Sequence, residues 1–219
     1  MALKILKLFI ITLYVSSCSS NSSLDRLKTF SEIYFNQNLE NPYKVFTKQE
    51  LNQIKYPIIE VRTNHILKQA LMIPISRRFN YYNYISGSGQ ALTFNGDAII
   101  KTSGMDLNLI SLSLQKESPL KKNIPVSEWP LEENKKYLLL MQSFEAIEYS
   151  FKCKFSVHEN IDLIIINETY DVSIVKENCT NQNYKFENIY YVDEKGFIWK
   201  SKQFIPSTDR FIDITKLKL

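Results

Sequence analysis

From position 147 to 157 the chain alternates without a break. Ile147, Tyr149, Phe151, Cys153, Phe155 and Val157 are apolar or cysteine, and Glu148, Ser150, Lys152, Lys154 and Ser156 between them are polar. Successive side chains point to opposite faces of a strand but wind round a helix every 3.6 residues. A run of period two is therefore a half-buried strand, with Cys153 on its inward face. Residues 58–63, 79–85, 137–144, 161–167 and 172–175 are further candidate strands.

Glycine occurs only five times, and the turns gather round it. Asn95-Gly96 lies between 91–94 and 97–102 and reads as a two-residue hairpin turn with φ > 0 at both centres. Asp193 to Gly196 joins 189–192 to 197–201 as a second hairpin, and Ser86-Gly87-Ser88-Gly89 makes a third bend. Helix signals are confined to the N-terminal side. Leu24, Leu27, Phe30 and Tyr34 recur at helical spacing. Thr47-Lys48-Gln49-Glu50 is a capping box with Phe46 and Leu51 at the hydrophobic-staple positions, and Pro57 ends that helix. A loop from Glu117 to Asn134, carrying Pro119, Pro125 and Pro130, interrupts the strands. Many short strands without a βαβ rhythm predict a mainly β single domain, an antiparallel β-barrel-like or sandwich fold with one or two short N-terminal helices.

The first residues are an address rather than a fold. Lys4 and Lys7 precede a short apolar run, 8–15, followed by small residues, the pattern of a secretory signal. Val15-Ser16-Ser17-Cys18 resembles the bacterial lipobox, in which a cysteine thiol is acylated before the peptidase cuts. The expected organisation is a lipoprotein signal peptide at 1–17, a lipidated Cys18 with a polar tether at 18–23, and a β-rich periplasmic domain at 24–219. Several acyl chains on one cysteine, at about 0.8 kcal/mol per buried CH₂, hold a protein on a membrane. Ser19 rather than Asp after the cysteine directs such a lipoprotein to the outer membrane, facing the periplasm. No stretch reaches the roughly 18 apolar residues of a membrane-spanning helix, which excludes a multi-pass protein.

Two cysteines remain beyond the anchor, Cys153 and Cys179, and an even number in an exported chain predicts a disulfide. Two histidines, His65 and His158, and no CxxC leave no metal site to propose, and no cofactor motif is present. His158 is expected in an exposed turn after the strand. The net charge of +4 is dispersed, and its densest pairs, Arg77-Arg78 and Lys121-Lys122, are too short to follow a phosphate backbone, so nucleic acid is not an expected partner. No nucleophile motif appears. Asp97, Asp106, Glu168 and Asp171 could supply a carboxylate pair only if the fold brought two together. Tyr81, Tyr82, Tyr84, Trp129, Tyr190, Tyr191 and Trp199 could stack on sugar rings or pack in the core, and Trp129 stands out because it lies in the proline-bearing loop.

Two segments resemble the YjbF/GfcB lipoproteins. Residues 84–107, YISGSGQALTFNGDAIIKTSGMDL, are similar to that family's central hairpin with its T-x-G ending, here Thr102 and Gly104. Residues 190–203, from Tyr190-Tyr191-Val192-Asp193 to Trp199-Lys200-Ser201-Lys202-Gln203, are similar to its closing hairpin. Met105 stands where the family carries Leu, and Tyr191 where it carries Trp. The resemblance implies a barrel-like, outer-membrane-anchored lipoprotein concerned with exopolysaccharide or group 4 capsule production and export, with no catalytic residues. It implies a recurring structural or contact role for Thr102, Gly104, Trp199, Ser201 and Gln203. The expected function is thus a non-catalytic accessory factor whose partners are the membrane, polysaccharide and export-machinery proteins. A periplasmic glycan hydrolase or lyase and a general envelope-structure lipoprotein are the alternatives.

Overall fold

The computed structural model describes residues 46–64, 69–105, 109–141, 143–206 and 210–219. Cys18, the expected helix near Leu24, His65 and Asp106 lie outside the described residues. One short helix, α1 (Lys48–Gln53), precedes twelve strands: β1 (Ile58–Thr63), β2 (Ala70–Arg78), β3 (Tyr81–Ser86), β4 (Ala91–Asn95), β5 (Ala98–Ser103), β6 (Leu109–Ser113), β7 (Glu132–Leu140), β8 (Ala146–Ile165), β9 (Glu168–Thr180), β10 (Lys185–Val192), β11 (Ile198–Ile205) and β12 (Arg210–Lys218).

The strands form one antiparallel sheet in the order β5-β4-β3-β2-β1-β12-β11-β10-β9-β8-β7-β6. Each strand pairs with its chain neighbours, except that β1 also pairs with β12 and the two outermost strands are β5 and β6. These two come together and make the barrel nearly closed, a solution that removes most of the exposed sheet edge. At the seam the Leu109 backbone N–H donates to the Thr102 hydroxyl at 3.1 Å.

The alternation of 147–157 lies within β8, and Cys153 faces Cys179 of β9 in register. The two sulfurs are bonded, closing a loop of 26 residues. Interior-facing residues such as Ile59, Leu92, Tyr137, Phe151, Val175, Tyr190 and Ile212 form the main core. A second cluster, Leu51, Ile54, Ile58, Leu71 and Ile73, lies where α1 covers the outer face of β1 and β2. The capping box is complete: the Glu50 N–H donates to the Thr47 hydroxyl, and the Thr47 N–H donates to Glu50 Oε2 at 2.9 Å. Lys218 Nζ closes the other end of α1 by donating to the carbonyls of Leu51 and Ile54.

Several strand limits depart from expectation, each for a local reason. β2 went unread because α1 covers one of its faces and the barrel interior the other, so Leu71, Met72 and Ile73 run on without alternating. Phe79 and Asn80 are the β2–β3 turn rather than a strand start, with Phe79 at φ 54°. Residues 161–167 are no separate strand but the far end of the 20-residue β8, and the turn falls at Ile166 and Asn167. His158 accordingly lies within β8, exposed beside a bulge, and not in a turn. β7 begins at Glu132 and ends at Leu140, so the preceding loop ends sooner than expected and Phe144 falls in the β7–β8 turn. In the β4–β5 hairpin the turn residues are Gly96 and Asp97, because Asn95 pairs with Ala98, and the positive φ falls on Gly96 alone.

The β8–β9 hairpin outruns its neighbours. Its distal part folds along the barrel's outer wall, where Leu163 to Ile166 border a cleft with Glu60, Arg62, Asp213 and Leu217. Tyr170 packs there on Trp199 with ring centroids 3.8 Å apart, and Lys48 pairs with Glu168 at 2.5 Å.

Candidate functional site

The segment between β6 and β7 closes one end of the barrel. Two 3₁₀ turns, Pro119–Lys121 and Val126–Glu128, shape it, and hairpin tips hold it from both sides. The Asp97 N–H donates to the Leu120 carbonyl at 2.7 Å, and Asn80 Nδ2 to the Lys121 carbonyl at 3.0 Å. A Cβ on Gly96 would stand 2.1 Å from the Leu120 carbonyl oxygen, and one on Gly196 1.9 Å from that of Ile124. These two glycines are therefore required twice, by their positive φ and by the backbone that crosses over them. Trp129 anchors the segment's far end, with its indole N–H donating to the Ile124 carbonyl and its ring edge-on to Phe155 and Tyr190.

Gln203 spans the interior beneath this cover. From β11 its side-chain carbonyl accepts the Ile99 N–H at 3.0 Å, and its amide donates to the Asp97 carbonyl at 2.8 Å and to the Ser201 hydroxyl. The bulge that sets Phe94 opposite Ile99 and Thr93 opposite Lys101 marks this part of β5. Since β11 and β5 are far apart in the sheet order, the amide is a brace across the barrel.

On the β6–β10 side of the brace the interior is filled. Phe151 packs edge-on to Tyr137 and Phe186, and an ion pair joins Lys135 to Glu177 at 2.6 Å with both side chains fully buried. Asn188 Nδ2 and the Tyr190 hydroxyl both donate to Glu177 Oε2. Burial, reinforced by the Glu177 charge, pushes the Tyr190 and Tyr137 phenols well above their ordinary range. Glu133 accepts from the Gln115 N–H and the Ser118 hydroxyl, yet burial still holds its carboxyl above the usual value. Cys153, Glu177 and Cys179 lie close together, but the cysteines are spent in the disulfide and offer a metal nothing.

On the other side lies a cavity of about 430 Å³, within the usual span of small-ligand sites. Tyr82, Tyr84, Phe94, Phe197 and Trp199 supply its aromatic lining, and Lys121, Lys122, Lys216 and Lys218 its charge. Tyr82 and Tyr84 are one strand repeat apart on β3, and Tyr84 meets Phe94 edge-on. Burial first, then the nearby Asp97 charge, pushes the Tyr84 phenol up to about 12, so it stays a neutral donor. Asp97 is held by Lys216 at 2.6 Å, and the same ammonium sits 3.9 Å from the Phe197 ring centroid.

The sequence-expected residues divide accordingly. Trp199 and Ser201 line the cavity, although the Trp199 indole is engaged by Tyr170 and by Asp193 Oδ2. Gln203 braces the interior, Thr102 sits at the seam, and Gly104 turns the chain beside Gly89 at φ 66°. Trp129 packs on the filled side and does not line the cavity. Of the candidate carboxylates, Asp97 borders the cavity, while Glu168 and Asp171 are exposed on the outer hairpin. Phe94, Phe197, Lys200, Lys216 and Lys218 were not singled out from sequence. The alternation of Ile212 and Ile214 in β12 marks the strand that carries two of these lysines.

Comparison with known proteins places this architecture. The family model described as "Group 4 capsule polysaccharide lipoprotein gfcB, YjbF" matches residues 27–217. The crystal structure of the hypothetical lipoprotein YmcC from Escherichia coli K12 is similar in fold, with a TM-score of 0.72 at 16% identity, covering 88% of this chain and 95% of that one. No curated protein matches.

Proposed function

The chain belongs to the YjbF family of group 4 capsule polysaccharide lipoproteins, and from that premise we propose that it is an accessory factor in polysaccharide assembly or export that catalyses no reaction. It is held by a lipidated Cys18 in the outer membrane, faces the periplasm, and contacts glycan or the export machinery. The observation that carries this reading is the cavity's charge. Glycoside hydrolysis uses two carboxyl groups flanking one bond. Among the side chains lining this cavity Asp97 is the one acid, and Lys216 already neutralises it. A cleft so furnished lacks the paired acids of a glycoside hydrolase, which supports binding over hydrolysis.

The test is the polysaccharide output of a deletion strain complemented by wild type, Cys18→Ala or Asp97→Asn. Output should fall on deletion, return with wild type and with Asp97→Asn, and stay low with Cys18→Ala. A hydrolase would lose function with Asp97→Asn. Unchanged polysaccharide with a leaky envelope would replace the reading with a general envelope role.

A further inference from the structure

The lysines of the cavity are not equivalent. Lys216 is neutralised by Asp97, and Lys122 by Glu117 at the rim, 3.2 Å away. Lys121 and Lys218 are held by backbone carbonyls instead: Lys121 by those of Leu114 and Gln115, Lys218 by those of Leu51 and Ile54. A carbonyl dipole orients an ammonium without cancelling its charge, and each ammonium has three donors of which two are used. Lys200 borders both the cavity and the outer cleft, but its ammonium lies on the outer side, 5.4 Å from the Tyr191 ring centroid and beside Asp213. The cavity wall thus carries an excess of fixed positive charge beside a tyrosine pair. Salt screens a partly buried charge less than one on an open surface.

From this we propose that the cavity binds a segment of acidic polysaccharide, with a sugar carboxylate on Lys121 and Lys218 and the sugar rings against Tyr82 and Tyr84. The inference deepens the reading above and rests on it. Tyrosine is suited to the task because its ring packs on the apolar face of a sugar while its hydroxyl bonds to the sugar's edge. A neutral glycan would use the rings but leave the ammoniums to water. An inorganic anion would use the ammoniums but not the rings. An acidic sugar uses both.

The experiment titrates the purified lipoprotein with tetragalacturonate, maltotetraose and inorganic phosphate, following tryptophan emission, since Trp199 borders the cavity. Tetragalacturonate should bind about tenfold or more tightly than either other probe, and its affinity should fall as salt is raised. Lys121→Gln should weaken it about tenfold or more, the loss expected for charge-assisted hydrogen bonds, while the variant melts at the wild-type temperature. Tyr82→Ala should weaken both oligosaccharides alike. Equal binding of the two oligosaccharides, equal binding of phosphate, wild-type affinity in the folded lysine variant, or no binding of tetragalacturonate would each overturn the inference. The deletion phenotype is read separately. Lost polysaccharide without tetragalacturonate binding removes the acidic-sugar site and keeps the accessory role, and the converse result removes the role and keeps the site.

Discussion

The two sides of the barrel interior, separated by the Gln203 brace, treat charge in opposite ways. On the filled side an ammonium and a carboxylate are withdrawn from water together, and every neighbour helps to satisfy them: Asn188, Tyr190 and the ring of Phe155, 6.0 Å from Lys135 Nζ. On the open side the lysines keep access to solvent and are held at arm's length by carbonyls or a single acid. A buried charge must be paired because its desolvation is so costly, whereas a charge bordering a wet cavity can remain available. The filled side therefore holds the structure together. The open side is free to meet a ligand.

The sharpest break in that comparison is a pair of lysine deletions. Lys135→Met strands Glu177 in a dry interior and should cost about 3–5 kcal/mol. Lys216→Met, which leaves the Asp97 carboxylate with less than a fifth of its surface exposed, should cost about 1–3 kcal/mol. Equal losses in urea unfolding would mean that the two sides are equally dry. Replacing Lys135 and Glu177 together by Met and Leu should recover most of the first loss.

Next in size is Gly196 beneath the cover, compared with Gly89 in open space. Gly196→Ala meets both an unfavourable φ of +82° and the Ile124 backbone, and should destabilise by about 3 kcal/mol. Gly89→Ala, at φ +88° with open space around it, should lose about 1 kcal/mol from the backbone alone. Thermal melts that fail to separate the two would show that the covering segment yields freely.

A gentler effect is the pH dependence carried by Glu133. Its folded carboxyl is held above 4.5, chiefly by burial, with Lys135 and the Ser118 hydroxyl acting against the shift. The folded state therefore binds this proton more tightly than the unfolded chain. The associated stability is fully present below the unfolded value and is lost as pH rises through the raised folded value. Glu133→Gln should flatten that part of the stability profile on the acid side of neutrality, and an unchanged slope would assign it to other groups. The smallest change is at the rim of the open side. Phe79 is exposed at φ 54°, so Phe79→Gly should relieve strain and raise stability by about 0.5–1 kcal/mol, read as a small rise in Tm.

Much of the filled side was legible in the chain. The period-two run of β8 put Cys153 inward, and the even cysteine count paired it with Cys179; outside the barrel, Thr47 and Glu50 marked the start of α1. Each of these signals is local, or needs only two like residues. The open side was largely illegible, because its lysines come from the covering segment, β11 and β12, and its tyrosines from β3. No window of sequence contains both. Trp129 stood out in a proline-bearing loop as a stacking candidate, yet that loop folds over the barrel mouth and turns the indole to the core.

By itself the sequence determined the mainly β architecture, the hairpins at Gly89, Gly96 and Gly196 and the disulfide, since periodicity, turn chemistry and cysteine count act over a few residues or pairs, and the resemblance of residues 84–107 and 190–203 pointed to the family. Only the tertiary structure decided that β1 pairs with β12, that Gln203 spans the interior, and that one side is filled while the other stays open. The reason is that closing a barrel pairs strands from opposite ends of the described chain, as Val61 pairs with Ile214. Which side chains then fill the space depends on the sum of their volumes and charges across the ring, a quantity no stretch of chain holds alone.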